Sequence, residues 1–143
     1  MSSEKLYSEI FDEFEKLTTK QERIELLRRE GDERFRFFLQ LVFNPAIEYD
    51  IALPDRYRPA KEPAGLNFAY LDTQMPKMYR FIKNHPMRPE GFTTEKTTQQ
   101  ILVMVESLHR DEAAIILEVL QKKFKVKNLT ANLVKEAFPD LVI

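Results

Sequence analysis

The chain has 143 residues, 43% of them apolar, and its 22 basic and 23 acidic side chains leave a formal net charge of −1. That is enough apolar material for one domain with its own core. The near-neutral balance argues against a strong, indiscriminate binder of nucleic acid, whose affinity comes mainly from neutralising phosphates. The absence of cysteine excludes disulfides, thiolate metal sites and a cysteine nucleophile.

In chain order, Leu6, Ile10, Phe14 and Leu17 recur at helical spacing and predict a first helix from Ser3 to Leu17. Thr19-Lys20-Gln21-Glu22 reads as a capping box, in which the Thr and Glu side chains each bond the other's backbone N–H. A second helix follows to Glu30, burying Ile24 and Leu27, and Gly31 is expected to stop it by tolerating positive φ. Asp32 is placed to cap a third helix with Phe35, Phe38, Leu39 and Val42 inside, and Asn44-Pro45 ends it. Ile47, Tyr49 and Ile51 alternate with Glu48 and Asp50, the period of an extended segment. Pro54, Pro59, Pro63 and Gly65 mark a long irregular stretch from Leu53 to Gly65.

Helical spacing returns from Leu66 to Asn84, split at Pro76, which suits the start of a second piece because its missing N–H costs little there. His85 to Gly91 is a second punctuated loop. A helix from Thr94 to Leu108 buries Ile101, Leu102, Val105 and Leu108. Another begins at Arg110-Asp111 with Ala113, Ile116, Leu117 and Leu120 inside. The end reads KKFKVKNLTANLVKEAFPDLVI. In it a basic alternating segment runs into a turn at Asn128-Leu129, Thr130 caps a last short helix burying Leu133, Val134, Ala137 and Phe138, and Pro139 stops that helix. The expected fold is therefore a single all-α domain over residues 1–143, a compact bundle of six to eight helices with a long Pro-rich loop and little strand.

Residue chemistry is sparse. Two histidines, His85 and His109, have no ligand-spaced partner. His109 is expected to serve a helix end, and His85, in a loop of the basic interval, is a candidate phosphate contact. Three well-separated glycines form neither a P-loop nor a dinucleotide fingerprint. Carboxylate pairs such as Asp111-Glu112 are expected to be solvated, since neighbours on a helix point in different directions. Catalysis, cofactors and metals are not expected. Charge, however, is uneven. Residues 1–33 hold ten acids against six bases, while Thr73 to Pro89 holds Lys77, Arg80, Lys83 and Arg88 with no acid. Lys77, Arg80 and Lys83 are three apart and are expected on one helix face. Lys122, Lys123, Lys125 and Lys127, with Lys135, form a second basic cluster beside the last helix, whose N-terminus is a possible phosphate seat. No apolar run approaches the roughly 20 residues that span a bilayer. The acid-rich start MSSEKLYSEIFDEFEKL lacks a signal-peptide core. A soluble cytoplasmic protein with no membrane partner is expected.

Thr19-Lys20-Gln21 with its following helix, VFNPAIEYDIALP (Val42 to Pro54) and IILEVLQKKFKVKNLTANLVKEAFPDLV (Ile115 to Val142) resemble the N-terminal DNA-binding domain of T-even-type phage ATP-dependent DNA ligases. The ending is also similar to small proteins of tailed phages. The resemblance implies an all-helical bundle gripping duplex DNA across the minor groove, in an infected bacterial cell. It does not imply ligation, because the family's Lys-x-Asp-Gly adenylation motif is missing here. Lys127-Asn128 stands where the family has a turn glycine, and Phe138 stands where a tryptophan can occur.

Two readings follow. In the first, the chain is a non-catalytic module binding intact or nicked duplex without sequence preference. Lys122, Lys123, Lys125, Lys127 and the N–H groups behind Thr130 hold phosphates, while Asn128, Thr130 and Asn132 lie near the groove. In the second, it is a phage accessory module or inhibitor that kept the fold but binds a phage or host protein. The weak net charge, the acidic first helix, the replaced glycine and the Pro-rich loop with Tyr57 and Tyr70 favour that reading.

Overall fold

A computed structural model describes residues 5–58 and 69–143. They form an all-α fold of seven α-helices and one 3-10 helix, with almost no strand. The helices are α1 (Tyr7–Glu15), α2 (Lys20–Glu30), α3 (Glu33–Phe43), α4 (Leu71–Gln74), the 3-10 helix (Met75–Phe81), α5 (Thr94–Ser107), α6 (Arg110–Leu120) and α7 (Ala131–Ala137). The far part of the Pro-rich stretch, with Pro59, Pro63 and Gly65, and the expected helix start at Leu66 lie outside the described residues, as does Ser3.

The helix starts follow the capping chemistry. Thr19 Oγ1 accepts from Glu22 N, and Glu22 Oε1 accepts from Thr19 N, each at 3.2 Å. Asp32 Oδ1 accepts from Phe35 N at 2.9 Å and Thr130 Oγ1 from Leu133 N at 3.1 Å. Each bond satisfies one of the N–H groups a helix leaves unpaired. The first helix opens four residues later than the spacing suggests, with Leu6 as N-cap and Glu9 Oε1 accepting from Leu6 N at 2.8 Å.

Gly31 stops α2 for a different reason than the expected one. Its φ is −80°, open to any residue. A Cβ there would lie 2.5 Å from the Phe138 ring and 2.7 Å from the Leu27 carbonyl oxygen. Close packing of α7 on α2, not turn conformation, thus demands glycine. Between Leu71 and Phe81 a short α-turn gives way to the 3-10 helix, whose first turn contains Pro76. Met75, Met78 and Phe81 are buried at a spacing of three, the residue period of a 3-10 helix.

Tyr7, Phe11, Phe35 and Phe38 form an aromatic centre with ring centroids 5.0–5.8 Å apart across α1 and α3. Leu71, Ile101, Val105 and Ile116 are fully buried around the interlocking α4, α5 and α6. Ile24, Val42, Leu102 and Leu117, expected inside, are only partly buried, while Leu26, Leu41, Met104 and Val119 are buried in their stead. The extended segment after α3 makes one isolated antiparallel bridge, Tyr49 to Ile82, flanked by Asp50 N to Phe81 O at 3.0 Å and Lys83 N to Glu48 O at 2.8 Å.

Candidate nucleic-acid interface

The C-terminal basic segment begins where α6 ends. Lys122 N bonds Val119 O at 3.0 Å and Lys123 N bonds Glu118 O at 2.8 Å, with Lys122 at φ 61°. This is the Schellman arrangement that usually carries glycine at the left-handed position. A lysine there costs about 1–2 kcal/mol in backbone strain. The side chain is used in return: Lys122 Nζ donates to Ile47 O and lies 5.2 Å from the centre of the Tyr49 ring. Lys122 therefore braces the α6 exit against the loop after α3, and one donor of its exposed ammonium is engaged by the protein itself, which sets it apart from the other lysines expected among the phosphate contacts.

The next five residues alternate. Phe124 packs edge-on against Phe11 at 5.3 Å and Phe38 at 5.7 Å, and Val126 is half-buried. Lys123, Lys125 and Lys127 are exposed. The two apolar side chains pin the backbone to the core and leave three ammonium groups on the outer side, roughly 7 Å apart if the backbone is extended. Among the described residues none of the three forms an ion pair, nor does Lys135. One carboxylate is close: Glu15 Oε2 accepts from Lys127 N at 3.3 Å. Leu129 N then bonds Val126 O at 3.0 Å, closing a turn with Asn128 at φ 70°. Asn tolerates that region better than most side chains, which is how Lys127-Asn128 forms the turn without glycine.

Beyond the turn, the Thr130 hydroxyl is occupied as the α7 cap, and Asn132 is exposed in the first turn. On the next turn Glu136 is paired with Lys20 at 2.8 Å, leaving Lys135 as the cation α7 presents. Arg28 Nε and Nη2 donate to Ala137 O and Glu136 O, each at 3.1 Å, fastening the α7 end to α2.

The other basic interval does not assemble as expected. Lys77 is exposed on the 3-10 helix, but Lys83 lies beyond the helix end, in the turn that follows the Tyr49–Ile82 bridge. Arg80 is half-buried, donating to Gln100 Oε1 at 3.0 Å and lying 4.7 Å from the Phe81 ring centre, and burial lowers its pKa. Arg88 bonds Phe92 O at 3.0 Å and Asp50 at 3.4 Å. The histidines also have local work: His85 Nδ1 accepts from Met87 N at 3.0 Å, and His109 Nδ1 caps the start of α6 by accepting from Asp111 N at 3.2 Å. No family model matches the chain, and no curated protein or solved structure matches it.

Two features escaped the sequence reading. A groove of about 850 Å³ lies between α3, the 3-10 helix and the C-terminal residues, with Phe37, Tyr79, Phe138 and Leu141 in its walls. Its lining charges balance, Arg34 and Arg36 against Glu33 and Asp140. The other is Glu112, expected in solvent but fully buried. Its signal was present in the sequence: Glu112, Ile115, Ile116 and Val119 follow the three- and four-residue spacing of an inward face. Among the described residues no helix is long and apolar enough to cross a membrane.

Proposed function

We propose that the chain is a non-catalytic module that binds duplex DNA through its phosphates, with Lys123, Lys125 and Lys127 as the main contacts and Lys135 flanking them. The observation that carries this reading is the lysine strip, three unpaired ammonium groups on one side of a segment fastened from the other side by Phe124 and Val126. Backbone held in this way needs little further ordering on binding, and only the lysine side chains still have to be fixed. Contacts of this kind read charge and spacing, so binding is independent of base sequence.

The test is a gel-shift on intact and nicked duplex over a salt series, with the wild-type chain and a Lys123→Glu/Lys125→Glu/Lys127→Glu variant. Wild-type affinity falls steeply with salt, and the variant's log–log salt slope is shallower by roughly 2–3 units. Affinity indifferent to salt, or equal in the two proteins, overturns the proposal.

A protein partner is the second reading, favoured by the aromatic groove with its balanced charge, which suits an apolar segment more than an acidic polymer. It gains if DNA binding is absent while a nuclease-resistant complex with one protein forms and is lost on Phe37→Asp.

A further inference from the structure

Glu112 stands in the first turn of α6, with no exposed surface. Its Oε2 accepts from Tyr7 N at 2.6 Å and its Oε1 from Leu71 N at 2.8 Å. Tyr7 and Leu71 are the first residues of α1 and α4, and in neither helix does the N-cap side chain, Leu6 or Tyr70, bond a first-turn N–H; Glu9 of α1 accepts only from Leu6 N. A single carboxylate on α6 thus serves as the missing cap of two other helices. No cation balances it among the described residues; its hydrogen bonds are both to backbone.

We propose that Glu112 is a proton-operated clamp, holding the starts of both α1 and α4 when ionised and only one of them firmly when protonated. The chemistry is that of the acceptor count. A carboxylate offers lone pairs on both oxygens, whereas a carboxylic acid turns one oxygen into a donor. Protonation therefore weakens one of the two N–H bonds while removing a buried charge.

The surroundings decide where this happens. Burial is the dominant influence and raises the carboxyl group to about 7, against the lowering effect of the Leu71 and Tyr7 N–H groups. Asp72 on α4 and Glu9 on α1 add like charge. Asp72 is itself raised by burial, with Arg34 opposing and Asp32 reinforcing the shift. Tyr7 is pushed up by burial and stays protonated. On α6, Asp111 lies 3.7 Å from His109 and 3.9 Å from Arg110.

An acid whose folded pKa exceeds its unfolded one makes the folded state bind more protons between the two values. Stability linked to it is then fullest below the unfolded value and is lost as pH rises through the folded value. For Glu112 that window runs from about 4.5 to about 7. The loss corresponds to a decrease on the order of a hundredfold in the folding constant.

The experiment is an NMR titration of the full chain from pH 4.5 to 8.5, following the Glu112 carboxyl carbon and the Tyr7 and Leu71 amide protons. Expected is a common midpoint near 7 for all three signals. A carboxyl midpoint below 5, or amide signals that do not move with it, overturns the proposal. Denaturant melts of the wild type and Glu112→Gln across the same range are the second readout. The wild type shows the larger loss of stability between pH 5 and 8, because the amide cannot ionise. Equal pH dependence in the two proteins counts against the clamp. If the variant does not fold, the wild-type titration decides by itself.

Discussion

The lysine strip and the Glu112 clamp both carry charge without a counter-ion among the described residues, one at the surface and the other fully buried. In the strip, three like charges coexist because each ammonium remains in water, where neighbouring charges are screened. At Glu112 a single charge has lost its water and is held by two backbone dipoles, which leaves its ionisation poised near neutrality. α1 touches both, through Tyr7 N at the clamp and through Phe11 against Phe124 and Glu15 on Lys127 N at the strip. The comparison teaches that the same helix can rest on a structural charge at one end and support a candidate binding charge at the other. Only exposure separates the two roles.

The largest expected effect comes from breaking the buried side of that comparison. Glu112→Ala orphans two buried N–H groups, each worth about 1–3 kcal/mol. Relief from burying the charge offsets part of this, so the net loss is roughly 2–4 kcal/mol by urea denaturation at pH 7. A loss under about 0.5 kcal/mol, the usual size for an exposed helical carboxylate, would show that the caps are not needed.

Next in size is Gly31→Ala, which probes how α7, the helix behind the strip, is seated. The added methyl would meet the Leu27 carbonyl oxygen at 2.7 Å as well as the Phe138 ring. A ring can shift but helix backbone cannot readily do so, and overpacking of this kind costs about 1–3 kcal/mol. A glycine retained only for left-handed backbone would predict a different pattern, in which Gly31→Asn is tolerated. Here Asn is expected to destabilise at least as much as Ala in thermal melts.

These two residues also show how far the sequence could be read. Helix order, the caps at Thr19, Asp32 and Thr130, and the in-out alternation from Lys123 to Lys127 were legible because they are local: a side chain and a backbone N–H three residues apart, or a period of two. Gly31 was legible as a helix end, but its reason, the Phe138 ring, arrives from the far end of the chain. Glu112 was misread because a charged residue beside Asp111 suggests solvent, although its spacing to Ile116 and Val119 placed it on the inner face. Lys122 and Arg80 were grouped with their neighbours by charge alone. Their actual partners, Ile47 O with the Tyr49 ring and Gln100, are set by tertiary packing, which no spacing rule contains.

The smallest effects test the edge of the strip itself, where Lys122 and Lys125 are three residues apart and equally charged. Lys125→Ala removes one solvent-facing ammonium. It is expected to leave stability within about 0.5 kcal/mol and to reduce the salt slope of DNA binding by about 0.9. Lys122→Gly should do the reverse. Glycine relieves the left-handed strain at φ 61°, worth about 1–2 kcal/mol, but forfeits the bond to Ile47 O and the contact with the Tyr49 ring. Stability therefore changes by no more than about 1 kcal/mol in either direction, while the salt slope stays at the wild-type value. Equal slopes for Lys122→Gly and Lys125→Ala would mean that the brace opens when DNA binds, and Lys122 would then rejoin the contact set.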